Sequence, residues 1–142
     1  MLRLVVLDEK DGKKVYDNYS DRDKRGIIAT EDIIADILEK SGFNPRFIGF
    51  NYLIQAVILC YRDRELLICK TKVLYPRIAK LNKVTTASIE RNIRTVINAA
   101  WAICEGNYFY HRLECGSIAD NKRPTCGEII NLLTEYLDNL FE

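Results

Sequence analysis

The 142 residues contain one histidine, His111. A metal cluster built on several imidazoles is therefore excluded, and a catalytic dyad with Cys115 has only chance spacing behind it. His111 stands in an aromatic patch with Tyr108, Phe109 and Tyr110, so packing or a solvent-facing position is expected. The seven glycines, at 12, 26, 42, 49, 106, 116 and 127, never cluster, which removes the phosphate-cradling loop. Five cysteines (Cys60, Cys69, Cys104, Cys115, Cys126) form no C-x-x-C pair. Since Cys60, Cys69 and Cys104 sit among apolar residues, reduced and mostly buried thiols of a cytoplasmic protein are expected, not a disulfide frame or a zinc site. No signal peptide is expected, because Arg3, Asp8 and Glu9 break any early apolar run. The longest apolar stretch, Phe47 to Tyr61, holds Asn51 and Gln55 and is too short to span a bilayer, so it reads as a buried helix. Repeats and low-complexity tracts are absent. An enzyme is not expected, nor a catalytic residue, a metal, a cofactor or a membrane partner.

Net charge is only +1, but its distribution is uneven. Residues 1–45 carry eight Lys/Arg against ten Asp/Glu, and residues 95–142 carry three against seven. Between them, residues 46–94 carry ten against three. Positive charge gathered in one segment suits a phosphate-facing surface, while a solvated basic face without a polyanion is the plainer alternative. The apolar fraction of 48% supports a real core in one domain.

Residues 1–28 read as an N-terminal arm. LRLVVL at 2–7 is β-like, Asp11-Gly12 signals a turn, and Lys14 to Tyr19 is the candidate returning strand of a hairpin. Asn18 to Gly26 is polar and reads as a linker. From residue 29 to 142 the expectation is an all-α domain of five or six helices. Thr30 is expected to cap the first, with Ile33, Ile34, Ile37 and Leu38 as its stripe and Gly42 as its stop. Asn44-Pro45 signals a second start, leading to a central helix that ends near Arg62. Pro76 is expected to open a third helix and to push Tyr75 out of the α region. Asn82 to Thr85 form a turn, and Thr85 or Thr86 caps a long helix that Gly106 ends. Tyr108 to Leu113 adds a short helical segment. Thr125-x-x-Glu128 is a capping box for a last helix striped by Ile129, Ile130, Leu133, Tyr136, Leu137 and Leu140.

The long helix has two faces. Ile89, Ile93, Ile97, Ala100 and Trp101 recur at helical spacing and share one stripe. Glu90, Arg91, Arg94 and Asn98 occupy another. Arginine can donate to guanine O6 and N7, and glutamate can accept from cytosine N4. Glu90 and Arg91 lie near the helix start, the end that meets base edges in a helix-turn-helix. Lys70, Lys72, Arg77, Lys80 and Lys83 on the preceding element suit backbone phosphates. The competing reading is an amphipathic surface helix with Glu90–Arg94 as an i,i+4 ion pair.

Four blocks go further than periodicity: G-x-x-Y-L-x-x-A from Gly49 to Ala56, Thr71-Lys-Val-Leu-Tyr-Pro to Ile78-Ala-Lys, Glu90-Arg91-x-Ile93-Arg94 to Ala100-Trp101, and Arg123-Pro124-Thr125 with Glu128. Over roughly residues 30–140 the chain resembles the DNA-binding effector domain of the sporulation master response regulators, the stage-zero sporulation protein A family. The resemblance implies a compact six-helix domain whose third and fourth helices form the helix-turn-helix. It implies binding to double-stranded DNA of the TGTCGAA type, as tandem or homodimeric units. Glu90 and Arg91 would then contact bases and Arg94 would be a further DNA-facing arginine. Lys72, Arg77, Lys80, Lys83, Thr86, Ser88 and Asn98 are the candidate phosphate contacts. Ser88 departs from the family, which has an arginine there, so the preferred site could differ.

The family's phosphorylatable receiver, about 120 residues and an ordinary domain size, finds room for only some 30 here. Asp8 and Glu9 resemble its acidic pair, but no phosphoacceptor strand follows. A receiver-less transcriptional regulator is therefore expected. The alternative is a protein-interaction modulator that forms mixed dimers with the full-length regulator. RNA polymerase sigma factor is a further candidate partner.

Overall fold

The most apolar stretch of the chain becomes its centre. In the computed structural model, which describes residues 21–114 and 122–141, six α-helices follow one another. They are α1 (Asp21–Lys40), α2 (Ile48–Arg62), α3 (Tyr75–Asn82), α4 (Thr86–Cys104), α5 (Asn107–Leu113) and α6 (Cys126–Phe141). A short 3₁₀ turn, Arg64–Leu67, and a wide π-type turn, Lys70–Leu74, join α2 to α3. Among the described residues there is no strand. The hairpin expected within residues 2–19 lies outside them.

Helix α2 is buried at Gly49, Phe50, Tyr52 through Ile58, and Cys60, and it packs against α1, α3, α4 and α6. Each large aliphatic side chain so enclosed contributes about 1.5–3 kcal/mol relative to exposure. The contact with α4 is a close one, because Gly49 lies against the backbone carbonyl of Asn92. A Cβ at residue 49 would collide with that carbonyl, and backbone cannot swing aside as a side chain can. This glycine sets the depth at which α4 sits. The inward stripe of α4 follows the sequence: Ile89, Ile93, Ile97 and Ala100 are buried, joined by Val96. Trp101 closes the far end, with its ring 6.0 Å from Phe43, 5.5 Å from Phe109 and 5.9 Å from Tyr110, all edge-on. Gly106, at φ 75, terminates α4 where a Cβ would stand 2.6 Å from the Trp101 ring. Arg112 ties three helices together: it donates to Tyr108 Oη at 2.8 Å and Tyr136 Oη at 3.2 Å, and pairs with Asp36 at 3.4 Å.

Five local expectations change. Helix α1 begins at Asp21, so residues 21–26 are helical and not a linker. Thr30 lies inside the helix and donates its hydroxyl to the Gly26 carbonyl at 2.7 Å. A mid-helix threonine satisfied by its own preceding turn does not force a start. Asn44 does not cap α2; its side chain accepts the Arg46 N–H at 2.9 Å in a local turn, and the helix starts at Ile48. Tyr75 remains in the α region at φ −63, ψ −42, despite the following Pro76. Burial of Tyr75 and Leu74 in the core outweighs that local preference. Cys69 is exposed, unlike buried Cys60, whose thiol burial pushes up to about 11.

Candidate nucleic-acid interface

Helices α3 and α4 meet through a three-residue turn, Lys83–Thr85. Lys83 adopts the left-handed conformation (φ 57), and the Val84 N–H reaches back to the Ala79 carbonyl at 3.0 Å. This six-to-one closure is the Schellman motif with lysine at the position glycine usually fills. Thr85 then caps α4, accepting the Ser88 N–H at 3.2 Å. The turn is anchored from beneath. Asn82, last in α3, exchanges two hydrogen bonds with Gln55 of α2, at 2.7 and 3.2 Å, and donates to the Ile78 carbonyl at 2.7 Å. Gln55 is only 2% exposed, so this amide pair is a buried polar link with its partners supplied. Helix, tight turn and capped helix, fixed at both ends, make the helix-turn-helix geometry.

The expected site residues distribute as follows. Arg91, Arg94 and Asn98 are exposed on α4, and Glu90 is half-buried. Lys72, Arg77, Lys80 and Lys83 are exposed before and within the turn, and Thr86 is half-buried at the first position of α4. Arg94 donates to Glu90 at 2.9 Å, which is the i,i+4 pair of the competing reading. Both side chains are substantially exposed, 56% and 43%, and such a helical pair is worth about 0.3–0.5 kcal/mol. That is too little to hold Arg94 against a better anionic partner. Ser88 is half-buried, and its hydroxyl accepts from Asn92 Nδ2 at 3.0 Å.

Beside α4 the surface falls into an open cleft of about 590 Å³. One wall is Glu90, Arg94, Ile97 and Asn98; a second is Lys70, Thr71 and Tyr75; the third is the entry to α6, from Lys122 to Gly127. Tyr75 and Cys126 form its apolar floor, and burial raises the pKa of both. The Cys126 thiol is directed at the Glu90 carbonyl at 3.7 Å. Arg94, Asn98 and Glu90 are thus brought together with Lys122 and Arg123, which sequence reasoning did not assign to the site. The only signal for them was their place just ahead of the Thr125-x-x-Glu128 box.

Among the described residues no group of three or more His, Cys, Asp or Glu could hold a metal ion, and no helix is long and apolar enough to cross a membrane. Compared with known families, residues 34–137 match the model described as sporulation initiation factor Spo0A C terminal.

Proposed function

The chain belongs to the Spo0A C-terminal family of sporulation initiation factors, and from that premise we propose that it regulates transcription by binding specific duplex sites through α4. The family is one of DNA-binding effector domains, not a family of enzymes. The observation that carries the reading is the capped α3–turn–α4 unit, anchored to α2 by Gln55–Asn82, with Arg91, Arg94 and Asn98 exposed along one helix. Arg91 and Glu90 read base edges in the major groove, and Arg94 exchanges Glu90 for the nucleic acid. Lys72, Arg77, Lys80 and Lys83 hold phosphates with Thr86, Ser88 and Asn98. Tandem or homodimeric units occupy the site, and RNA polymerase sigma factor and the full-length regulator are candidate protein partners.

A second reading has one observation in its favour: Glu90 and Arg94 are occupied with each other. The chain would then work by forming mixed dimers with the full-length regulator and have little DNA affinity alone. An anisotropy titration against TGTCGAA-containing and scrambled duplexes separates the two. DNA binding predicts preference for the first duplex and a log–log salt slope of at least about −3. Arg91→Ala should cost about 1–3 kcal/mol on the specific duplex only. A flat salt response with no duplex preference, together with mixed-dimer formation, would establish the second reading.

A further inference from the structure

The cleft beside α4 is not used by a recognition helix acting alone. We propose that it is a second phosphate-binding site, gripping the DNA strand that flanks the groove α4 enters, with Lys70, Lys122 and Arg123 as its added cations. The assignment rests on α4 being the DNA-reading helix.

Charge is the first reason. Lys70, Arg94, Lys122 and Arg123 line the cleft against one carboxylate, Glu90, so positive charge is in excess there whether or not Arg94 stays paired with it. Lys122 and Arg123 are exposed, so their charges are available to a ligand. Glu128, just beyond the cleft wall, is affected by Lys122, but one of its oxygens is committed to the Thr125 N–H at 2.9 Å. Lys70 donates one hydrogen bond to the Leu67 carbonyl at 2.7 Å, leaving two of its three donors.

Position is the second. Arg94 and Asn98 belong both to the cleft wall and to the exposed surface of α4, so a polyanion lying over α4 continues into the cleft without a break. From Glu90 to Asn98 the wall runs about 12 Å at the helical rise. That length matches the axial rise of three to four nucleotides of one strand at about 3.4 Å each.

Rigidity is the third. The Lys122 carbonyl accepts a hydrogen bond from Tyr110 Oη, and Tyr110 is packed on Trp101 and Phe109. Pro124 is buried, and Thr125 starts the capped helix. Across the cleft, the wide turn at Lys70–Leu74 is closed by Cys69 and Lys70 carbonyls. Cations held on fixed backbone lose less entropy on gripping a strand than cations on a free loop.

The test uses the full chain, a duplex with TGTCGAA and long flanks, a scrambled duplex of equal length, and a core-only duplex. Lys122→Ala/Arg123→Ala should weaken binding to both long duplexes roughly tenfold at low salt and make the salt slope shallower by about 1.8, two phosphates' worth. On the core-only duplex it should match the wild-type chain. Lys70→Ala should reduce the slope by about half as much. Unchanged melting of each variant confirms that folding is not the cause, and Arg123→Gln should reproduce about half of the effect with the stem retained. Wild-type affinity and slope in the double variant, while Arg91→Ala still loses specific binding, overturns the cleft and leaves the α4 reading intact. Wild-type protein that binds no duplex overturns both. Inorganic phosphate that raises the melting temperature of the wild type but not of the double variant, with duplex binding equal in the two, assigns the cleft to a free anion and also overturns the proposal.

Discussion

Helices α4 and α6 both start behind a threonine, and the third residue after it differs. Thr125 accepts the Glu128 N–H at 3.1 Å, and Glu128 returns the bond by accepting the Thr125 N–H at 2.9 Å. Thr85 likewise accepts the Ser88 N–H at 3.2 Å, but Ser88 has no carboxylate to send back and faces Asn92 instead. Helix α6 therefore satisfies and neutralises its own positive end, whereas the first turn of α4 holds no acidic residue. A helix whose own N-terminus is not offered to an anion gains from closing it. A helix that is to meet phosphate is better left with donors and dipole open, even at some cost in stability.

The largest expected effect comes from making the two helices alike. Ser88→Glu would complete the box at α4 and place a negative charge beside the proposed DNA-reading residues Glu90 and Arg91. Duplex affinity should fall roughly tenfold or more, with a salt slope shallower by about 1. Thermal stability should rise slightly, by a few tenths to about 1 kcal/mol. Retained affinity in this variant would mean that the α4 N-terminus does not face the polyanion.

Next in size are the caps themselves. Thr85→Ala and Thr125→Ala should each lose about 1 kcal/mol in denaturant melts. The first should also weaken binding to every duplex that carries the core, since Thr85 positions the turn ahead of Arg91. The second should act only on duplexes with long flanks, through the cleft wall that Thr125 shares with Lys122 and Arg123. Equal losses in the two variants on the core-only duplex would erase the functional distinction between the helices.

The smallest effect is in pH. The Thr125 N–H and hydroxyl hold the Glu128 carboxyl below its ordinary pKa. Its stabilising contribution is therefore fully present above the unfolded-state value, near 4.3, and is lost as pH falls through the lower folded-state value. Wild type should show this acid-limb loss, and Glu128→Gln should show less of it. No such contribution is expected from the α4 N-terminus, so Ser88→Ala should keep the wild-type acid limb.

Much of the fold was legible because its signals are local. The stripe Ile89, Ile93, Ile97 and Ala100, the Thr85 cap, the Thr125–Glu128 box and the stop at Gly106 each depend on residues within a few positions of one another. Thr30, Asn44 and Tyr75 misled for the same reason. Each carries a genuine local preference, and each was overruled by a neighbouring turn or by burial. Cys69 has apolar neighbours in sequence, yet it is exposed between two short turns.

The site divides along the same line. The sequence by itself determined the polar face of α4, since helical spacing places Arg91, Arg94 and Asn98 together whatever surrounds them. It also determined the polar turn before that helix and the concentration of positive charge in residues 46–94. Only the tertiary structure decided how deeply α4 sits, through the Gly49–Asn92 backbone contact, and where the turn is fixed, through Gln55 and Asn82 across 27 positions. Only it decided that Lys70, Arg94 and Lys122 share one cleft. Backbone geometry propagates a pattern over a few residues, but residues separated by dozens of positions meet only when helices pack, and packing is settled by the whole core at once.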